Sequence, residues 1–511
     1  MPRTPSRAPT KPSFRFLPPV LPPFVHRLRR RLPLLAAAAL LPVAALAQAE
    51  NFYISYSSPA DLRTQALLQQ AMGSNTTIVW ELSGDTDPLQ APDTSLLRAL
   101  RDAAPGAYRA AYWTDWGIYD RDRARSYDAY FVPGAIGQDG RVISNPDFDH
   151  KAELLGAIHY AFLEIAPDGT VYFNDPWSDL RPDDPFCRGG DNPVCSYANT
   201  RYGWRFSAQY GNFEALVAYR KPGGGALDKF IAIGGHGHDD SFELVFGDGA
   251  KLQRLVDSVA TVLEHYGIDG VDLDYENPAM SHAQSLGYLE LARALDARLG
   301  AMAPPRSIRV TTLAGPAYLR GDAGVGFAPG VLRDIAALPR LRSVNLMSYD
   351  FYGAFNHRPG GSGRTALLAN SFALDDAPEG VARFSVQESL QVLIDQGVPP
   401  AKAGAGVATY GRALMGIDAA SGRSDGGRPT GLYAAIPDQA LIPGGDLDSN
   451  DCDEAVSPLG PESCSGSFTY HYIREHFGAA QGFKVMDWPG GPRRSPNGSS
   501  AYSDEAGAAA R

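Results

Sequence analysis

From about residue 106 the chain alternates short apolar runs with amphipathic stretches of helical period, the pattern of parallel βα units. One unit shows the logic. "KFIAIGG" (Lys229 to Gly235) is an apolar run closed by a glycine pair, and "KLQRLVDSVATVLEHYG" carries Leu252, Leu255, Val256, Val259, Leu263 and Tyr266 on one helical face before a stop at Gly267. The next run, "IDGVDLDYE", starts at once. With "YRAAYWTDW", "LLGAIHYAFLEI", "IRVTTLAG", "SVNLMSYD" and "AGAGVATYG" there are seven such strands, and a (β/α)8 barrel needs eight. Beyond Tyr410 the sequence becomes rich in Gly, Pro and Asp, with scattered strand and helix signals, and it ends in a polar, Ala-rich tail without a further barrel strand.

The front of the chain differs in kind. Arg27, Arg29, Arg30 and Arg31 precede the apolar run "LPLLAAAALLPVAALA", which ends in Ala45, Leu46, Ala47. A basic flank, a short apolar core and a small-x-small end describe a secretory signal peptide, with cleavage expected after Ala47. An N-terminal membrane anchor is the alternative, but the run is short and Ala-rich for a spanning helix. The Pro-rich leader before it is expected to be unstructured.

Composition narrows the partners. At 511 residues and 44% apolar content the chain can bury a large core. Residues 1–47 hold eight Lys/Arg and no acid, so their removal takes the net charge from −11 to −19. That argues against nucleic acid or an anionic membrane, and leaves a neutral or cationic polymer compatible. The cysteines fall in two close pairs, Cys187 with Cys195 and Cys452 with Cys464, each in a loop-like stretch. In an exported protein these predict two disulfides. Metal ligation is the weaker reading, since no His or Cys stands beside them at zinc-like spacing.

"DGVDLDYE" carries the candidate chemistry. Asp272, Asp274 and Glu276 lie two residues apart, so on a strand they share one face while Val271, Leu273 and Tyr275 share the other. In a parallel barrel the apolar face packs under helices and the acids line the interior toward the C-terminal rim, where barrel enzymes place their chemistry. Neighbouring acids would stand about 6.6 Å apart, and at an effective dielectric of about 20 they repel by roughly 2.5 kcal/mol. At least one proton is therefore expected to stay near neutral pH, and Glu276, the outermost, is best placed to donate it. An exposed acidic edge strand and a divalent-cation site are the alternatives; the first conflicts with the buried pattern, the second with the lack of a Gly-bearing ligand loop.

"DGVDLDYE" is similar to the DGxDxDxE signature of family 18 glycoside hydrolases, the chitinase family. Other stretches resemble the same family in its own order. "YWTDWGIY" looks like its first strand, "HYAFLEI" its second, "AIGG" its SxGG motif with Ala232 for Ser, "NLMSYDFYG" its sixth, and "GVATYGR" its seventh with Ala408 where Pro is usual. The Cys-bearing stretch after "NDPWSDL" resembles bacterial members that carry an α+β domain between the seventh and eighth strands. Here the chain ends inside that insertion, and the missing parts stand in front. "FYISYSSPADLRTQALLQQAMG" looks like the insertion's last strand and following helix, "TTIVWELSGDTD" like the eighth strand, and "DTSLLRALRDA" like the closing helix. The resemblance thus implies a circularly permuted (β/α)8 TIM barrel. Its divisions are residues 1–47 for the signal peptide and leader, 48–75 for the end of the α+β insertion domain and a helix, and 76–105 for the eighth strand and closing helix. Strands one to seven take 106–412, and the insertion domain with the polar tail 413–511. A separate N-terminal cap over residues 50–105, with the eighth strand lost or supplied by "FKVMDW", is the competing arrangement.

The resemblance implies an exported chitinase that hydrolyses β-1,4 bonds between N-acetylglucosamine units with retention, assisted by the substrate's own acetamido group. Glu276 would be the acid and base, Asp274 would hold the acetamide N–H, Asp272 would share its proton, and Tyr349 would hydrogen-bond the acetamido oxygen. Trp80 would floor the subsite that holds the reacting sugar, bordered by Met347 and Asp350. Tyr112, Trp116, Phe162, Tyr410 and Arg412 would line the cleft, because sugar rings stack their C–H faces on aromatics. For Tyr112 and Phe162 ordinary core packing competes with this role. His236 stands where many members have Trp, which weakens a distal subsite. No metal or organic cofactor is implied. The expected protein is a monomer, secreted or periplasmic, with no anchor after cleavage, acting on chitin or chitooligosaccharides. A chitin-binding lectin on an inactive barrel and an endo-β-N-acetylglucosaminidase acting on N-glycans remain as alternatives; the presence of all three acids weighs against the first.

Overall fold

A computed structural model describes residues 51–503 except 117–130, 137–141, 145, 182–183, 185, 188–191, 196–210, 375, 380, 382–383, 448–455, 460–463, 482 and 488–498. The predicted signal peptide, Cys452 and the end of the polar tail lie outside the described residues.

Eight parallel strands close a barrel: β1 (Thr76–Trp80), β2 (Tyr108–Thr114), β3 (Ala157–Ile165), β4 (Asp228–Gly234), β5 (Gly270–Asp274), β6 (Ser307–Leu313), β7 (Leu341–Met347) and β8 (Ala403–Ala408). All seven runs singled out in the sequence are among them. The eighth is "TTIVW". It lies between the two ends of the series, pairing Gly404↔Thr76 through Ala408↔Trp80 on one side and Thr76↔Tyr108 through Val79↔Ala111 on the other. The segment holding "FKVMDW" forms no barrel strand; Lys484–Asp487 pairs elsewhere.

The period-two alternation sorts side chains between two cores. Val79, Ala111, Trp113, Ile158, Ile231, Ile233, Val271, Leu273, Val310 and Val344 belong to an outer core shared with the helices. Ile78, Ala110, Tyr112, Ala157, Ala161, Phe230 and Ala232 form an inner cluster. The helices are delimited as their sequences dictate. Gly249–Tyr266 is capped by Asp248, whose carboxylate accepts from the N–H groups of Ala250 and Lys251, and stops at Gly267 with φ 70°. It buries Leu255, Val256, Val259 and Leu263 from the predicted face. His282–Gly300 opens with a Ser281–Gln284 capping box, a device worth about 1 kcal/mol. Leu96–Ala103, between β1 and β2, is held at its start by Asp85, which accepts from Leu96 N, Leu97 N and Ser95 Oγ at 2.7, 2.9 and 2.9 Å.

A second, antiparallel sheet flanks the barrel. At its centre Phe52–Tyr56 pairs with Tyr410–Met415, from Phe52↔Met415 to Tyr56↔Gly411, and on its other edge with Ser499–Ser503. Two stretches more than 350 residues apart in the chain therefore share one sheet. Phe52 packs its ring against Phe468, Phe477 and Phe483 at 6.3, 4.9 and 5.7 Å. Cys187 and Cys195 form a disulfide. Among the described residues no helix is long and apolar enough to cross a membrane.

Candidate active site

Strand β5 ends at Asp274, and Glu276 stands two residues beyond it rather than on the strand. Val271, Leu273 and Tyr275 face the outer core. Asp272 and Asp274 are 0% and 2% exposed inside the barrel, and their surroundings differ.

Asp272 is surrounded by donors. Its Oδ2 accepts from the Tyr112 hydroxyl at 2.6 Å and lies 3.0 Å from His159 Nδ1; Thr311 Oγ1 lies 3.1 and 3.2 Å from its two oxygens. Burial pushes its carboxyl up, but His159, Tyr112 and Thr311 together outweigh burial and hold it below the usual carboxylate range. Asp274 has the opposite setting. Its Oδ1 is buried without a hydrogen-bond partner, and burial, then the charges of Glu276, Asp272 and Asp239, push its carboxyl well above that range. Burial, followed by Asp239 and Asp350, pushes Glu276 up to about 8. The three acids thus differ in setting: Asp272 is held toward its anion while Asp274 and Glu276 are pushed toward their protonated forms, and they titrate as one coupled set.

Tyr349 is buried beside them. Burial and the neighbouring Tyr410, Asp274 and Glu276 keep its hydroxyl protonated far beyond neutral pH. Asp350 follows with φ 53°, in the left-handed region that only Gly, Asn and Asp adopt readily. A clamp holds it there. Arg412 donates from Nε and Nη2 to its two oxygens at 2.9 and 2.8 Å, and the Tyr410 hydroxyl donates at 2.6 Å. Burial pushes Asp350 up, but Arg412 and Tyr410 hold its carboxyl low.

An aromatic floor comes from three strands. Trp80, at the end of β1, lies 5.2 Å from Tyr112, 6.2 Å from Trp116 and 5.7 Å from Phe162, on which it stacks. Trp116 stacks in turn on Phe162 at 6.0 Å and is 37% exposed at the rim. Trp80 also packs with Met347, Tyr349 and Tyr410 in one apolar cluster. Its carbonyl accepts the Thr409 N–H at 2.9 Å, which ties the end of β1 to the end of β8. The Gly234–Gly235 pair makes room here: a Cβ on Gly234, at φ 107°, would sit 2.3 Å from the Asp274 carbonyl, and one on Gly235 2.6 Å from the Phe162 ring.

All twelve residues expected at the site fall on this one end of the barrel, with one change of place. Tyr112, expected among the cleft aromatics, is 1% exposed beneath the floor and spends its hydroxyl on Asp272. His236 is exposed on the loop after β4. Three residues escaped the sequence reading. His159 and Thr311 are donors to Asp272, and Asp239 Oδ1 accepts the Glu276 N–H at 2.9 Å. The phase of β3 and β6 points the first two inward, a signal that was available; a carboxylate at the start of the short helix Asp239–Glu243 that binds a backbone N–H leaves none.

The arrangement can deliver a proton from Glu276, hold a polar group at Asp274 and stack a flat apolar ligand face on Trp80. The family model for glycosyl hydrolases family 18 matches residues 109–470, which begins on β2 and leaves β1 outside the match. The chain is 26% identical over 369 residues to "Endochitinase 1" of Metarhizium robertsii, across 69% of this chain and 73% of that protein. It is 25% identical over 333 residues to "Chitinase A" of Pseudoalteromonas piscicida, across 61% of this chain and 38% of that protein. Among solved structures, a chitinase from Bacillus thuringiensis superposes with a TM-score of 0.51 at 19% identity, over 77% of this chain and 60% of that one, and shares the fold.

Proposed function

The chain belongs to glycosyl hydrolase family 18, and on that premise we propose that it is an exported endo-chitinase cleaving β-1,4 bonds between N-acetylglucosamine units with retention of configuration. The single observation that carries this reading is the set of carboxyls at the end of β5: Asp272 held by Tyr112, His159 and Thr311, Asp274 buried on the same face with Oδ1 unpartnered, and Glu276 two residues beyond. In the first step Glu276 gives its proton to the glycosidic oxygen as the C1–O bond breaks, and the departing sugar takes the bonding electrons. The substrate's acetamido oxygen closes on C1 to form an oxazolinium ion. Asp274 accepts a hydrogen bond from the acetamide N–H, and the Tyr349 hydroxyl steadies the acetamido oxygen. Water then attacks C1, Glu276 takes back a proton, and the ring opens to the retained sugar. Trp80 would carry the reacting ring, with Phe162 and Trp116 extending the stack outward.

The barrel is further proposed to be circularly permuted. Support comes from β1, which completes the ring between β8 and β2 yet precedes the residues that the family model matches. The antiparallel sheet containing Phe52–Tyr56 and Tyr410–Met415 would be the α+β insertion, cut within its periphery. Export rests on the basic-apolar leader and the Cys187–Cys195 disulfide.

Reducing ends released from colloidal chitin and from chitooligosaccharides test the activity. Wild type should release them, and Glu276→Gln should fall by at least about 10²-fold with binding retained. Wild type that binds chitin without cleaving it would make the protein a lectin; cleavage of N-glycans alone would redirect the substrate.

A further inference from the structure

His159 stands on β3 in the barrel interior, the register partner of Tyr112 on β2 and of Phe230 on β4, with no exposure. The Tyr112 and Phe230 rings lie 5.0 Å from its own. Nδ1 is 3.0 Å from Asp272 Oδ2, while Nε2 is buried without a hydrogen-bond partner. A buried N–H with no acceptor is costly, whereas a bare ring nitrogen is less so, so this geometry selects the neutral imidazole with its proton on Nδ1. The other charged or titratable groups facing the pair are Arg309 from β6, Asp228 at the base of β4, and Asp274, Tyr112 and Tyr288 around Asp272. Burial is the largest influence on the imidazole and works against its charged form.

On the β4 side, Asp272 has Ala232 as register partner, which offers no side-chain donor. Its three side-chain donors instead come from β2, β3 and β6, as Tyr112, His159 and Thr311. We propose that His159 is a positioning residue of this site, a permanent Nδ1–H donor that fixes the negative charge on Asp272 and so leaves the proton of the acid pair on Asp274. The pairing stands on the geometry alone; its catalytic consequence rests on the glycosidase reading. Its effect on substrate would pass through two carboxyls. Asp272 stays charged, Asp274 stays neutral and free to meet the acetamide, and Glu276 keeps a neutral neighbour until the proton is called on.

Two measurements test this. In nitrogen-15 spectra of histidine-labelled protein, with the His159 signal identified by its loss in His159→Asn, Nδ1 should be protonated and Nε2 bare, unchanged between about pH 5 and 8. An imidazolium or the reverse tautomer overturns the proposal whether or not the protein cleaves chitin. The second measurement is the pH profile of kcat/KM on a chitooligosaccharide, whose acidic limb reports a second proton entering the pair. His159→Leu should move that limb upward by about one to two pH units, since a donor to the charged form is lost. His159→Asn, able to present an N–H near the position of Nδ1, should largely restore it. A merely structural role would lower the melting temperature or the plateau and leave the limb in place, and an unmoved limb in folded His159→Leu overturns the proposal. Should that variant not fold, the nitrogen-15 spectrum still decides. Inactive wild type would sink the chitinase reading, while the same spectrum would continue to judge His159.

Discussion

Asp239 Oδ1 accepts the backbone N–H of Glu276 at 2.9 Å, so a carboxylate at the start of the short helix Asp239–Glu243, which follows β4, holds in place the acid that follows β5. The contact does two things at once. It fixes the backbone of a residue that lies beyond its strand and therefore lacks a ladder to position it, and it brings a negative charge close enough to raise the proton affinity of Glu276. Asp239 is only half buried and its own carboxyl is raised, chiefly by burial.

Asp239→Asn should therefore separate position from charge. The amide oxygen can still accept the N–H, but the like charge is gone, so the proton affinity of Glu276 falls. The acid must be protonated to work, and the alkaline limb of kcat should move to lower pH by about one unit. Asp239→Ala removes the acceptor as well and should lower the plateau too. A limb that stays put in Asp239→Asn would remove Asp239 from the electrostatics of the site.

Glu276→Gln makes a stability prediction of definite sign. Burial, Asp239 and Asp350 raise Glu276 to about 8 in the folded chain, above its unfolded value. Between those two values the folded state binds the extra proton, so wild-type stability falls as pH rises through that window. Glutamine does not titrate. The variant's melting temperature should match wild type near pH 4 and exceed it by at least about 2 °C above pH 8. Thermal scans across that range check it, and a constant difference would mean that Glu276 titrates normally.

Arg412 clamps Asp350 with two parallel hydrogen bonds and reaches Ser467 Oγ at 2.7 Å, joining the barrel rim to the second sheet. A lysine cannot supply the fork. Arg412→Lys should cost about 1–3 kcal/mol and loosen Asp350, whose backbone already sits at φ 53°. Tyr410→Phe, which removes one donor to the same carboxylate, should cost less. Denaturation midpoints with KM for an oligosaccharide test both; a raised KM without lost stability would place Arg412 on the ligand rather than under it.

Trp80→Ala removes the ring that Phe162 stacks on and Tyr112 packs beneath. It should lower kcat/KM by about 10²-fold, mainly through KM, with Trp80→Phe intermediate. Full activity in Trp80→Ala would show that the sugar rests elsewhere.

What the sequence made legible follows from period. Seven barrel strands and the buried face of Gly249–Tyr266 were readable because alternation and helical spacing are local properties. The inward face of β5 was readable for the same reason. Period tells which way a side chain points but not how deep along the barrel it lies, so Tyr112 was expected in the cleft and is beneath it. Nor does it tell where a strand stops, so Glu276 was drawn on β5 and stands past it. His159 shared the inward phase of Ala157 and Ala161, yet a single histidine in an apolar strand announces no partner until the fold brings Asp272 against it. The pairing of Phe52–Tyr56 with Tyr410–Met415 was not legible, since nothing in five residues of strand names a mate so distant in the chain.

Through β1 residues 76–80 belong to the barrel, and through that pairing Phe52–Tyr56 belongs to the flanking sheet, so we propose that residues 51–105 are integral to the fold rather than an appendage. Without them β2 and β8 would each expose an unpaired edge, Ile78 would leave the inner cluster, and the site would lose its Trp80 floor. A chain beginning at Pro105 should therefore be insoluble or molten, and supplying residues 51–104 as a separate polypeptide should restore soluble, active protein by filling the gap between β8 and β2. A detachable cap predicts the reverse: a folded remainder with a cooperative transition of its own. Near-ultraviolet circular dichroism and activity on chitooligosaccharides, measured on the truncated chain alone and with its missing piece, distinguish the two, and a native-like truncated chain would end the permuted-barrel reading.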